Sequence, residues 1–144
     1  MTGVQTCALP ISRGQFRPGT PSRLTLARTC YDHMAGAVAV SLHDCFMERG
    51  WLSSAAAGPD AYELTADGEK ALEALGASRA LRRRFAFACL DWSERRAHIG
   101  GGLGASLLRV ALRRKWVVQD LDSRALSVTR GGRREMRARF GTPP

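Results

Sequence analysis

The sequence is nearly devoid of lysine. Of its 22 basic residues only Lys70 and Lys115 are lysines, and the other 20 are arginines. A GC-rich genome produces that skew without any selection for nucleic-acid contact. The net charge of +9 and the pI near 10.6 therefore do not by themselves assign a nucleic-acid partner. Long apolar runs are missing as well: none approaches the ~18 residues of a membrane span, which excludes a bilayer-spanning role. Four cysteines in 144 residues do not make a disulfide framework, and the composition excludes collagen-like and low-complexity classes. Excess positive charge is absent from the first half. Residues 1–76 hold 6 basic and 8 acidic side chains, whereas residues 77–144 hold 16 and 5. With 44% hydrophobic and 24% charged residues, the remainder is ordinary globular material of single-domain length.

Residues 1–12, MTGVQTCALPIS, carry no charge and no periodicity. They lack the basic start, continuous apolar stretch and small-residue cleavage site of a signal peptide, and Val4-Gln5-Thr6-Cys7 is a poor lipoprotein box. The first eleven residues resemble the translation of a widely used sequencing-library adapter read from a GTG start. Residues 1–12 are therefore expected to be adapter-derived, disordered and foreign to the fold, and the chain is expected to be a C-terminal fragment. Without Cys7 an odd number of cysteines is left, which fits a reducing cytoplasm.

The rest of the chain repeats itself. His33, Gly36, Val38, Ser41-Leu42 and Trp51 match His98, Gly101, Leu103, Ser106-Leu107 and Trp116 at an offset of 65. Leu64-Thr65, Gly68 and Leu72 match Val128-Thr129, Gly132 and Met136 at 64, and Cys30-x-Asp32 matches Cys89-x-Asp91 at 59. The second copy thus carries a six-residue insertion between its Cys-x-Asp and its His.

Each copy has apolar residues at helical spacing: Tyr31, Met34, Val38, Leu42 and Cys45 in the first, and Ile99, Leu103, Leu107 and Val110 in the second. Trp51-Leu52 with 61–65, and 116–121 with 124–129, each predict two short strands around a turn. Thr65 and Thr129 then open a final amphipathic helix. The expected fold class is α+β, mainly helical, with two tandem winged-helix-like repeats of helix, β-hairpin and helix. Residues 13–27 are expected to link to a preceding domain, 28–76 to form repeat 1, 77–88 to be a basic linker containing Arg82-Arg83-Arg84, and 89–141 to form repeat 2. Gly100-Gly101-Gly102-Leu103-Gly104 lacks the Gly-Lys-Ser/Thr ending of a phosphate loop. Its counterpart Ala35-Gly36-Ala37 is also small, which predicts a close crossing of the two long helices, within the chain or between protomers.

Gly50-Trp51-Leu52 followed by Tyr62-x-Leu64-Thr65-x-x-Gly68 is similar to the wing segment of bacterial winged-helix repressors. The segments 27–36, ARTCYDHMAG, and 89–98, CLDWSERRAH, together resemble the C-terminal half of a subgroup of ArsR-type transcriptional regulators, over roughly residues 27–141. The resemblance implies a cytoplasmic, homodimeric regulator whose DNA-reading winged helix lies N-terminal to this region, so that operator DNA is a partner of the full-length protein. A helix over Asp32–Arg49 is expected to turn Asp32, Ala35, Ala39, His43, Asp44 and Glu48 outward, a surface that repels phosphate. Arg109, Arg113 and Arg114 in the second copy suit backbone phosphates but carry no base code.

Cys30, Asp32 and His33, with Cys89, Asp91 and His98, place thiol, carboxylate and imidazole on two related elements. As i and i+3 on a helix, Cys30 and His33 face one way and suit a thiophilic metal such as zinc. The expected effector or metal pocket is lined by Cys30, His33, Cys89, Trp92 and His98, which would also suit a small metal- or thiol-ligand-binding module. The competing reading is structural: Asp91 with Glu94 as a helix capping box, Asp32 as a cap, Glu94, Arg95 and Arg96 as an ion-pair cluster, and the cysteines as packing. No catalytic role is expected, because neither Cys/His pair has the strand-turn-helix setting of an activated nucleophile. A stand-alone basic nucleic-acid-binding winged-helix protein is a third possibility.

Overall fold

A computed structural model describes residues 22–56, 58–77 and 85–141. The adapter-like start, most of the 13–27 segment and Arg82-Arg83-Arg84 lie outside the described residues.

The fold is mixed α and β. In chain order the elements are α1 (Ser22–Leu26), β1 (Arg28–Cys30), β2 (His33–Ala35), α2 (Ala37–Glu48), β3 (Leu52–Ser54), β4 (Tyr62–Leu64), α3 (Ala66–Leu75), β5 (Phe87–Leu90), β6 (Ala97–Gly100), α4 (Gly101–Arg113), β7 (Val117–Gln119), β8 (Leu126–Val128) and α5 (Arg130–Phe140). The strands form four two-stranded antiparallel hairpins, β1β2, β3β4, β5β6 and β7β8. Among the described residues no helix is long and apolar enough to cross a membrane.

The segments after each long helix have matching local bonds. Trp51 N–H donates to Phe46 O at 2.9 Å, and Trp116 N–H to Ala111 O at 2.8 Å. Each tryptophan carbonyl in turn accepts from the threonine that opens the last helix, Thr65 at 3.0 Å and Thr129 at 2.9 Å. Those threonines are N-caps: Thr65 Oγ1 accepts from Gly68 N–H and Thr129 Oγ1 from Gly132 N–H, satisfying a donor that the first helical turn leaves open. A Cβ at Gly68 or Gly132 would collide with the carbonyl of Trp51 or Trp116, so glycine is what permits this seat.

The halves interlock. Ala61 bridges to Phe87, with Tyr62 N–H donating to Ala86 O and Ala88 N–H to Asp60 O, so hairpin β3β4 leans on hairpin β5β6. Reciprocally, Ala125 bridges to Arg28, with Thr29 N–H donating to Arg124 O and Leu126 N–H to Ala27 O. Helix α2 packs on β6 and α4 on β2. One core results, with Val38, Leu42, Phe46, Leu52, Leu103, Val110, Trp116, Met136 and Phe140 all buried in it.

Three helix expectations are corrected. Cys30, Tyr31, His33 and Met34 precede helix α2, and Ile99 precedes α4 on β6. Residues i and i+3 face one another across a two-residue hairpin turn just as they do along a helix, so the spacing alone did not separate the two. Tyr31, at φ 57°, makes the turn that stops a helix there. The nearest neighbours of Gly104 are not on the other long helix. Gly104 instead brings α4 against β2, where a Cβ would meet His33 Cβ at 2.9 Å. Finally, Ala35, on β2, and Ala39, on α2, are buried rather than outward, and His43 is mostly buried and shares a 2.8 Å hydrogen bond with the Tyr62 hydroxyl.

Candidate metal centre

The two N-terminal hairpins of the halves each contribute one thiol and one imidazole. In the registers of β1β2 and β5β6, Cys30 lies directly opposite His33 and Cys89 directly opposite His98. Side chains of opposed residues leave the same face of a hairpin, and the two hairpins meet along β2 and β6. Four ligand-capable atoms are thereby gathered, one from each of Cys30, His33, Cys89 and His98, all within 4.8 Å of one another. Both imidazoles are buried, and the thiols are half-buried.

Asp91 organises the surroundings of this set. Its side chain is fully buried, at 0% exposure, and its two oxygens divide the work. Oδ1 accepts from Arg28 Nη2 at 3.0 Å, Ser93 N–H at 3.1 Å, Ser93 Oγ at 2.8 Å and Glu94 N–H at 3.1 Å. Oδ2 accepts from Gly36 N–H at 2.6 Å, just ahead of α2, and lies 2.9 Å from His98 Nδ1. Burial alone would raise the Asp91 pKa. The bonds from Gly36, Ser93, Arg28 and Glu94 outweigh it and hold the carboxyl well below the usual carboxylate range. Asp91 is therefore ionised, and His98 donates its Nδ1 proton to it. Burial pushes the His98 pKa down against the pull of Asp91, so the ring is neutral with a lone pair on Nε2.

That lone pair points at His33, whose Nε2 is 3.2 Å away; His33 Nδ1 lies 3.4 Å from Asp32 Oδ1. Burial, followed by the neighbouring Cys30 thiol and the Asp91 charge, pushes the Cys89 thiol up to about 11.

Over 114 residues, 76% of its length, the chain is 40% identical to YdfF of Bacillus subtilis strain 168, an uncharacterized HTH-type transcriptional regulator. The chain spans 49% of that protein. No family model matches the chain, and no solved structure matches it.

Of the residues singled out from sequence, Cys30, His33, Cys89 and His98 converge, with Asp91 behind His98 and Asp32 behind His33. Trp92 lies over Arg28, the partner of Asp91. It is half exposed, and its ring lies 4.0 Å from the Arg28 guanidinium carbon. Asp91 and Glu94 do not open a helix: the Asp91 carboxylate accepts from Glu94 N–H inside the loop joining β5 to β6. Asp32 does not cap α2 either; the N-cap is Gly36, and Asp32 sits in the β1β2 turn. Arg95 is exposed at φ 59°, and Arg96 reaches Asp44 on α2.

Arg113 and Arg114 turn back onto the C-terminal end of α3, donating to Gly76 O and Leu75 O at 3.2 Å each, while Arg109 is exposed. Two features went unseen in the sequence. Arg28 is buried in the polar centre, and a single arginine in a short strand carries no periodic signal. The arginines of α5 are the other: Arg130, Arg133, Arg134 and Arg137 line an open groove, which helical spacing over 130–137 was sufficient to reveal.

Proposed function

We propose that this chain is the C-terminal effector-sensing and dimerisation region of an ArsR-type transcriptional regulator, built from two winged-helix-like repeats. In this reading it acts in the cytoplasm as a homodimer, and a separate winged helix of the full-length protein reads operator DNA. The observation that carries the proposal is the 40% identity over 114 residues to about half of an HTH-type regulator. The site chemistry supports the sensing role. Ligand-capable groups from both halves meet in one place, so an occupant changes how the hairpins hold each other. The surface of α2 supports a division of labour, since its outward Asp44 and Glu48 do not suit phosphate.

DNase footprinting tests this reading. A full-length regulator such as the Bacillus relative is expected to protect a palindromic site upstream of its gene, as a dimer reading two half-sites does. The present chain alone is expected to protect none, while eluting at twice its 15.7 kDa mass. Site-specific protection by the chain alone would overturn the proposal. It would instead support a second reading, a nucleic-acid binder in its own right, which the arginine-lined groove on α5 favours.

A further inference from the structure

We propose that Cys30, His33, Cys89 and His98 bind one thiophilic divalent cation of the zinc class in a closed tetrahedral site, fastening hairpin β1β2 to hairpin β5β6. The proposal names the effector class of the sensing reading. It concerns binding by this chain alone, and it stands or falls without DNA.

Two thiols and two imidazoles are the donor set that selects zinc-like ions over the hard cations held by carboxylates and carbonyls. Their spacing suits such an ion. With ordinary zinc–nitrogen and zinc–sulfur bonds, the edges of a tetrahedron are about 3.3 Å between nitrogens and about 3.8 Å between sulfurs. The Nε2 atoms are already 3.2 Å apart, and every donor lies within 4.8 Å of the others, so closing the cage needs only small side-chain rotations.

The ring orientations point the same way. A carboxylate faces Nδ1 of each histidine, Asp91 for His98 at 2.9 Å and Asp32 for His33 at 3.4 Å, and leaves the two Nε2 atoms facing each other within the cluster. Carboxylate-backed imidazoles are also how protein metal sites fix tautomer and direction. The half-buried thiols give solvent access on one side, and each yields its proton to solvent as its sulfur–metal bond forms. A disulfide between Cys30 and Cys89 would consume the thiols and leave the facing imidazoles without a role.

The reduced chain, stripped with chelator, should be titrated with Co²⁺ and then Zn²⁺ while visible absorption and bound metal are measured. One ion per chain is expected, with tetrahedral cobalt bands and thiolate charge transfer that Zn²⁺ abolishes. Cys89→Ser and His98→Gln should weaken binding by on the order of 100-fold or more, and Asp91→Asn by about 10- to 100-fold through loss of its hold on the imidazole. His43→Gln, at a histidine held by the Tyr62 hydroxyl and not among the four donors, should leave affinity unchanged. Wild-type stoichiometry and spectra decide the matter even where a variant misfolds. No tetrahedral cobalt spectrum, binding that survives Cys89→Ser in folded protein, or a mass loss of two hydrogens from a Cys30–Cys89 disulfide in freshly isolated protein would overturn the site. Because no DNA is present, failure here leaves the regulator reading standing, and a failed footprint leaves the site standing.

Discussion

Hairpins β1β2 and β5β6 enter their turns through the same Cys-x-Asp and present the same opposed cysteine and histidine, yet their aspartates have opposite fates. In the first hairpin two residues, Tyr31 and Asp32, make the whole turn, and Asp32 stays exposed. In the second the turn runs from Asp91 to Arg96 and folds back under the hairpin, with Asp91 N–H donating to Arg96 O and Arg95 N–H to Asp91 O. The longer turn delivers the Asp91 carboxylate to the interior, where it meets Arg28 and Gly36 of the first half and His98 of the second. An insertion in one copy of a repeat thus converts a surface turn residue into the polar link between both copies.

The comparison breaks most visibly at these aspartates. Asp91→Ala strands a buried guanidinium and leaves Gly36 N–H without its acceptor, which should cost about 3–5 kcal/mol. Asp32→Ala should cost within about 0.5 kcal/mol, as exposed positions do. Urea unfolding of the metal-free chain measures both. Arg28→Met combined with Asp91→Ala should destabilise by less than the two single changes added, since each single change orphans the other partner. Equal losses at Asp32 and Asp91 would refute the asymmetry.

How far the sequence disclosed this depends on the kind of signal. The wing-like hairpins and the Thr65 and Thr129 caps were legible, because alternation, turn residues and cap chemistry are local. So was Cys45 as core: it is buried, and its thiol donates to Phe140 O at 3.1 Å. The repeat also identified all four cluster residues, although it placed the first pair on a helix. What stayed hidden was non-local. Nothing near Arg28 in the sequence reveals a partner 63 residues away, and the fate of Asp91 depends on the path of a loop.

Helix α4 carries Gly104 where α2 carries Ala39, and their surroundings explain the difference. A methyl group at 104 would run into the Ile99 carbonyl oxygen and the Cβ of His33, whereas the Ala39 methyl is already seated in the core. Gly104→Ala should therefore destabilise by about 1–3 kcal/mol despite the better helix propensity of alanine. Because it displaces His33, it should also weaken cation binding. Thermal unfolding with and without Zn²⁺ reads both effects, and a stabilised protein would show that the close approach of α4 to β2 has been misjudged.

The residue just past each long helix sharpens the comparison at smaller scale. After α2 it is Gly50 at φ 69°, and after α4 it is Lys115 at φ 57°. Glycine takes this left-handed conformation without penalty, whereas a side chain costs about 1–2 kcal/mol there. Lys115→Gly should stabilise the chain by about 1 kcal/mol after the entropy that glycine adds to the unfolded state, and Gly50→Lys should destabilise it by a similar amount. Midpoint shifts in urea should have opposite signs for the two variants.

A small effect is also expected where the halves are tied at the surface. Arg96, in the inserted turn, pairs with Asp44 on α2, an exposed counterpart to the buried Arg28–Asp91 pair that also joins the halves. The Arg96 side chain is 59% exposed, against 1% for Arg28. Water already solvates both members of the outer pair, so losing it strands no buried charge, and Arg96→Ala should cost no more than about 1 kcal/mol. Raising ionic strength to about 1 M, where screening extends only about 3 Å, should erase most of that difference while leaving the cost of Asp91→Ala nearly intact. If Arg96→Ala proved as damaging as Asp91→Ala, or equally insensitive to salt, the turn would be holding the halves together from outside and the buried carboxylate would not be their principal link.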